Sequence, residues 1–288
     1  MASSSILEDL IMVIPEVIDH HSPKSQLHLL LKRIARKEVE SLFDCSDAKA
    51  VQFQPFGTLI FPYFKMGAID SLNLFDLDEL IIFCFYFINR EKYKKVMDIG
   101  ANIGLHTVLL SKCGYEVFSF EPDPHHYQIL KRNIELNDCQ SVHANNAAIS
   151  NKSGQMEFIR VLGNTTGSHL AGAKKNPYGD LEKLQVGVLD INHYINEMDL
   201  IKLDAEGHEK EIILSTKMDA WLNTDALVEV ENAENAKEIY SYFKDSPINL
   251  FSQKQNWSRV ESFDGMPTSY HDGSLFISSK KQMPWSTH

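Results

Sequence analysis

The nine residues Val96-Met97-Asp98-Ile99-Gly100-Ala101-Asn102-Ile103-Gly104 constrain this chain more than any other stretch. An apolar run delivers the backbone to a turn holding two glycines, and the helix-forming segment LHTVLLSKC follows at once. Strand, glycine turn and helix in that order open a doubly wound α/β sheet. The glycines let backbone approach a ligand, and the helix N-terminus favours a negative group.

The alternation continues downstream. YEVFSFEP reads as a second strand and PHHYQILKRNIELN as a helix capped by Asp123. SVHANNAAIS reads as a third strand with its exit loop, GQMEFIRVL as an extra or extended strand, and 164–180 as a loop. LDINHYI predicts a short helix. MDLIKLDAEG and ALVEVEN follow as strands, each with a helix behind it. INLFSQ and SLFISS close the pattern. The expected fold is α/β: a Rossmann-like, seven-stranded, mostly parallel sheet with one antiparallel edge strand.

Upstream, Ser4 to Phe43 reads as helical, broken near Pro15 and Pro23, with Leu27, Leu29, Leu30, Leu31 and Ile34 as the apolar face of the second piece. Val51 to Met66 predicts a hairpin turning at Gly57, and a helix runs from Asp76 or Asp78 to Asn89. The division is therefore a helical extension (1–50), a hairpin and helix leading into the core (51–92), and a ligand-binding α/β domain (93–288).

The formal net charge of -11 argues against broad, phosphate-driven nucleic-acid binding and leaves room for a small local basic patch. Cys45, Cys84, Cys113 and Cys139 are scattered, with no zinc spacing, and fit a reducing compartment. The N-terminus lacks a positive leader, and the most apolar run, Leu80 to Ile88, is shorter than the roughly 20 residues of a membrane span. No membrane span and a cytoplasmic location are expected.

The turn discriminates between ligands. A dinucleotide fingerprint is G-x-G-x-x-G, whereas here the middle glycine is replaced by Asn102. Asp98 would repel a pyrophosphate. S-adenosylmethionine, zwitterionic at its methionine end and carrying a sulfonium, suits an acid and an amide beside Gly100 and Gly104. Ser119-Phe120-Glu121-Pro122 ends the second strand, with Glu121 placed 21 positions after Gly100, the usual separation for a carboxylate that accepts from ribose hydroxyls. Asn146 and Ala147, after the third strand, are expected beside the adenine, and His106 beside the methionine moiety.

The blocks MDIGANIG, FEPDPHHYQILKRNIELN, NNAAIS, NTTGSHL and IKLDAEGHEKEIIL, in this order and spacing, resemble the FkbM family of S-adenosylmethionine-dependent methyltransferases over about Val96 to Val230. The fourth-strand block Asp204, Glu206, Gly207 and Glu209 carries the family-specific D-x-E-G-x-E. The resemblance implies a class I methyltransferase fold and O-methylation of hydroxyls on sugars, glycans or small metabolites. It also implies Asp98, Gly100, Asn102, Gly104 and Glu121 as cofactor residues.

An alcohol is a poor nucleophile at neutral pH and needs a base or a metal ion. Asp204 ends a strand facing the cofactor crevice, with Glu206 and Glu231 close by in the predicted topology. These are the catalytic candidates, and Asp204 and Glu206 are the candidate ligands for Mg²⁺. Glu209 reads as a helix N-terminal acid, and Lys202 with Glu229 as a structural pair. Thr165, Thr166 and Ser168 sit in a candidate lid. A small-molecule or carbohydrate acceptor is the expected partner, and a homo-oligomer is left open. The rival readings are an RNA ribose 2'-O-methyltransferase and a non-catalytic cofactor-binding scaffold subunit.

Overall fold

The computed structural model describes residues 5–44, 48–174 and 179–285. Cys45 and part of the expected lid, 175–178, lie outside the described residues. Helix α1 (Ile6–Val13) begins at a reciprocal cap: the Ser5 hydroxyl accepts from the Glu8 N–H, and the Glu8 carboxylate accepts from the Ser5 N–H. The chain breaks around Pro15 and Pro23, as expected, before α2 (Gln26–Phe43). The inward face of α2 keeps Leu31 and Ile34 of the expected set, half-buried against the core, and differs in the rest. His28, Ala35, Val39 and Phe43 are buried, and Leu29 and Leu30 are exposed. Lys32 pairs with Asp76 and Asp78 at 2.6 and 3.3 Å.

Strands β1 (Ala50–Gln52) and β2 (Thr58–Ile60) form the expected hairpin. Helix α3 (Leu77–Ile88) starts where the Asp76 carboxylate accepts from the Leu77 N–H. Eight of its twelve residues are buried, so the most apolar run of the chain is a core helix. No helix among the described residues is long and apolar enough to cross a membrane.

The core follows as β3 (Lys95–Ile99), α4 (Leu105–Lys112), β4 (Glu116–Phe120), α5 (Pro124–Leu136) and β5 (Val142–Asn145). Next come β6 (Ala148–Ser150), β7 (Gly154–Val161), β8 (His169–Leu170) and β9 (Leu181–Asp190). The chain returns as β10 (Leu200–Leu203), α6 (Glu209–Leu214), β11 (Asp225–Val228) and α7 (Ala233–Phe243). It ends with β12 (Asn249–Ser252), β13 (Ser258–Arg259) and β14 (Leu275–Ser278).

The main sheet has the order β13-β12-β14-β11-β10-β3-β4-β5. Strands β5, β4, β3, β10 and β11 run parallel, with the reversal of strand order between β3 and β10. The fold class is the expected Rossmann-like one, and its far edge differs in detail. Antiparallel β14 lies inside the sheet, between β11 and β12, and the two-residue β13 adds an eighth, antiparallel strand at the edge. A hairpin-like return inserts β14 after β12, and alternation in the sequence does not reveal which of two closing strands goes inside.

A second sheet, β6-β9-β7-β8, was not expected. The third strand read from SVHANNAAIS is cut in two. Its first half, β5, stays in the main sheet, and its second half, β6, pairs with β9. GQMEFIRV pairs along its length with β9, and the loop read over 164–180 contains β8. The short helix expected in LDINHYI is the end of β9 followed by two single 3₁₀ turns. Ala148, Phe158, Leu170, Val186 and Val188 form a small core of their own here.

Strand alternation divides the main sheet's contacts. Val96, Val117 and Leu200 pack with the N-terminal helices, while Met97, Ile99, Ile201 and Leu203 pack with α6 and α7. Asp98 and Lys202, partners in the β3–β10 register, therefore share the face that carries α4.

Candidate active site

At the strand ends around the reversal point a cavity opens, about 600 Å³ with its mouth included. Gly100, Asn102, Glu121 and Pro122 line its floor, and Asp204 with Glu206 lines one end. Ala148, Ile149 and Phe158 give it an apolar wall. Thr165, Thr166 and Ser168 of the expected lid line it too, joined by His126, His169 and Leu170.

The floor is made by backbone geometry. Gly100 is left-handed (φ 75°), and a Cβ there would stand 1.8 Å from the Asp204 carbonyl oxygen. The glycine is thus required by the protein's own close approach, before any ligand is considered. Gly104, also left-handed, packs on Leu130 and starts α4. Asn102 tolerates its φ of 52° and donates its N–H to Glu121 Oε2 at 2.7 Å. Glu121 Oε1 accepts from the Asp123 N–H at 2.8 Å. Burial pushes the Glu121 carboxyl up to about 8, against the pull of those two N–H groups.

The remaining predicted cofactor residues lie just behind the floor. Asp98 is fully buried, with Oδ2 accepting from the Thr107 hydroxyl at 2.6 Å. Asn146 donates to the carbonyls of Glu121 and Pro122 at 2.8 and 3.1 Å, tying down their turn. Ala147 is buried beside it, and the next two residues, Ala148 and Ile149, reach the cavity. His106 faces α3: its Nε2 lies 3.0 Å from Glu79 and its Nδ1 2.9 Å from the Tyr86 hydroxyl. A smaller cavity is lined by Glu79, His106, Lys202, Glu229 and Ser274.

The acidic turn after β10 is held from below by Glu209. Its Oε1 accepts from the N–H groups of Ala205 and Gly207, and its Oε2 from the Asn235 amide. Burial pushes this carboxyl up to about 7. Glu206 sits in the left-handed region (φ 51°), which turns it toward Lys174 Nζ at 2.5 Å. The same ammonium reaches Glu231 at 3.1 Å. Burial opposes the Lys174 charge, but the two carboxylates outweigh it and raise its pKa. The Glu206 carboxyl is pushed up by burial and by Asp204, with Lys174 pulling it back.

Asp204 Oδ2 accepts from Lys202 Nζ at 3.3 Å. Burial disfavours the Lys202 charge, but Asp204, Asp98, Glu79 and Glu229 together hold its pKa above the ordinary value. Glu229 is driven well above the carboxylate range by burial and by Asp204 and Glu79. Among the described residues no three His, Cys, Asp or Glu side chains come together to hold a metal ion.

A profile described as "Methyltransferase FkbM domain" matches residues 98–253, more than half of the 288-residue chain. The chain belongs to the FkbM methyltransferase family. Methyltransferase sdnD of Sordaria araneosa is 24% identical over 213 residues, 61% of this chain and 81% of that protein. Two solved structures resemble the chain at a distance. A precorrin-6y C5,15-methyltransferase from Geobacter metallireducens GS-15 has TM-score 0.36 and 9% identity, covering 66% of this chain and 82% of that one. An O-methyltransferase from Bacillus cereus in complex with SAH has TM-score 0.35 and 10% identity, covering 68% and 78%.

An FkbM methyltransferase needs a place for S-adenosylmethionine, and the floor fits one on its own terms. Asp98 Oδ1 and Asn102 Oδ1 are buried without a partner among the described residues. Glu121 keeps free lone pairs on both oxygens although each already accepts one N–H. Such acceptors suit an ammonium and ribose hydroxyls.

Four cavity residues, His126, Phe158, His169 and Leu170, carry no distinguishing signal in the sequence. Phe158 lies in a strand whose partner the alternation of the sequence does not reveal. His126 and His169 were two of 12 histidines, with no spacing to set them apart. Only the pairing of β7 with β8 brings Leu170 and His169 against Phe158 and Ile159.

Proposed function

We propose that this FkbM methyltransferase transfers a methyl group from S-adenosylmethionine to a hydroxyl on a sugar, glycan or small metabolite. One observation carries the reading. The cavity joins a ribose-type carboxylate, Glu121, to the acidic turn at Asp204 and Glu206, under a roof rich in hydroxyls and imidazoles. Asp98, Gly100, Asn102, Gly104, Glu121 and Pro122 hold the cofactor or shape its floor. Asn146 and Ala147 support the adenine side from behind, and His106 supports α4 against α3.

When bound, the cofactor supplies an electrophilic methyl on a sulfonium. The chain supplies orientation and charge. Asp204, fixed by Lys202, offers a carboxylate that can orient the hydroxyl. Lys174 keeps Glu206 and Glu231 at the same end of the cavity. The apolar wall of Ile149 and Phe158 limits water in the cavity. If the reaction used Mg²⁺, Asp204 and Glu206 would be the residues to hold it, and Lys174 would have to release Glu206.

The test begins with S-adenosylhomocysteine calorimetry, with NAD as control. Micromolar binding to the wild type is expected, and none of NAD. Hydroxylated acceptors are then screened with and without EDTA. In that screen Asp204→Asn loses turnover and keeps S-adenosylhomocysteine binding. A folded protein that ignores S-adenosylhomocysteine sinks the reading.

A further inference from the structure

The acceptor end of the cavity has an uneven distribution of partners. Both carboxylates there are engaged by lysines, Asp204 by Lys202 at 3.3 Å and Glu206 by Lys174 at 2.5 Å. Each ammonium occupies a carboxylate oxygen that would otherwise be open to a substrate hydroxyl. The roof carries a different kind of group. His169 is 1% exposed and lines the same cavity. Its Nδ1 lies 3.0 Å from the Gly167 carbonyl oxygen. A carbonyl can only accept, so Nδ1 carries the hydrogen, and in the neutral ring Nε2 holds a lone pair. That Nε2 is buried and has no partner among the described residues. Buried polar atoms are nearly always paired, and the exceptions call for a ligand or a chemical role.

We propose that His169 is the proton acceptor of the transfer, with Nε2 facing the hydroxyl that is methylated. This rests on the reading of the site as an O-methyltransferase. A lone pair of the acceptor oxygen forms the new C–O bond. The bond from methyl carbon to sulfur breaks, and its electron pair returns to sulfur. The O–H proton passes to Nε2. A hydroxyl, a sulfonium and a neutral imidazole become an ether, a thioether and an imidazolium, with charge conserved. The charged and titratable groups around the ring are consistent with a neutral resting state. Burial lowers the His169 pKa, Gly167 raises it, Lys174 lowers it and Glu231 raises it. His126, Asp204 and Glu206 share the cavity.

Sinefungin tests this without knowledge of the acceptor, because it places an amine where the sulfonium methyl would be. S-adenosylhomocysteine lacks that group. Calorimetry on the wild type and on His169→Phe, with both ligands, separates the cases. The expected result is S-adenosylhomocysteine binding equal in both proteins within about twofold, and sinefungin binding weakened about threefold or more in the variant, the loss of an imidazole that meets the amine through a water standing in the acceptor oxygen's place. Equal sinefungin binding overturns the proposal alone. No S-adenosylhomocysteine binding by the folded wild type overturns the methyltransferase site reading and the proposal with it. Should His169→Phe fail to fold, ¹⁵N-imidazole spectra of the wild type decide. One unprotonated Nε2 resonance that moves with sinefungin and not with S-adenosylhomocysteine supports the proposal. The same spectrum of all 12 histidines with either ligand overturns it.

Discussion

The floor of the cavity is made almost entirely from the stretch between Asp98 and Asp123, whereas its roof is gathered from four distant stretches. On the floor, neighbouring residues hold each other through backbone: Asn102 and Asp123 donate to Glu121, and Gly100 passes the Asp204 carbonyl. In the roof, β8 hangs on β7, His126 lies 2.9 Å from the Thr165 hydroxyl, and the loop at Met66 to Ala68 bonds to Gly163 and Thr165. A Cβ at Gly67 would stand 2.2 Å from the Gly163 carbonyl oxygen, so the segment before the core presses directly on the lid. The contrast assigns different tasks. On the proposed reading, the floor fixed by backbone would hold the cofactor, and the roof hung on side chains and loops would meet the acceptor.

The largest expected effect that could break this contrast is at Gly100. Gly100→Ala must displace the Asp204 carbonyl and adopt a left-handed backbone, at a cost of about 3 kcal/mol. Denaturant midpoints should fall accordingly, and S-adenosylhomocysteine binding should vanish. A variant with wild-type stability and binding would mean that the floor is not rigid.

Next comes Glu121. Glu121→Ala should weaken S-adenosylhomocysteine by about 2 kcal/mol, roughly thirtyfold, through loss of charged hydrogen bonds to hydroxyls. The free carboxyl titrates at about 8, and the ligand favours its ionised form. Affinity should therefore rise with pH up to about 8, by at most about tenfold per pH unit, and level off above. In the unliganded protein the sign is opposite. The native state holds this proton longer than the unfolded chain, so stability contributed by the neutral form is lost as pH rises toward 8. Glu121→Gln should flatten both slopes. A wild-type affinity that does not change with pH would show that the ligand does not touch this carboxyl.

The smallest effect belongs to the roof. Thr165→Val removes the contact with His126 and keeps the volume. It should cost about 1 kcal/mol of stability and change S-adenosylhomocysteine affinity by less than about threefold. A loss as large as that in Glu121→Ala would erase the distinction between the two regions.

The legible part of the molecule follows the same division. The strand, glycine turn and helix at Val96 to Lys112, the carboxylate at Glu121 and the acidic turn at Asp204 are written in short windows. There, burial periodicity, glycine conformation and helix capping act over a few residues. The breaks at Pro15 and Pro23, the hairpin at Gly57 and the cap at Asp76, one of the two starts expected for that helix, are local in the same sense.

What tertiary structure alone decided is whatever depends on pairing across long separations. Ala144 and Ala148 lie four residues apart in an apparently single strand, yet they enter different sheets because β9 pairs with one half and β4 with the other. Glu209, an acid in a motif full of acids, is a clamp because Asn235 and two backbone N–H groups converge on it. His169 resembles the other histidines until β8 seals it against the cavity with one nitrogen bonded and the other free. Sequence by itself fixed the conformations that each short segment prefers. The identity of the buried polar groups left without partners emerged only when distant segments packed and excluded water from them.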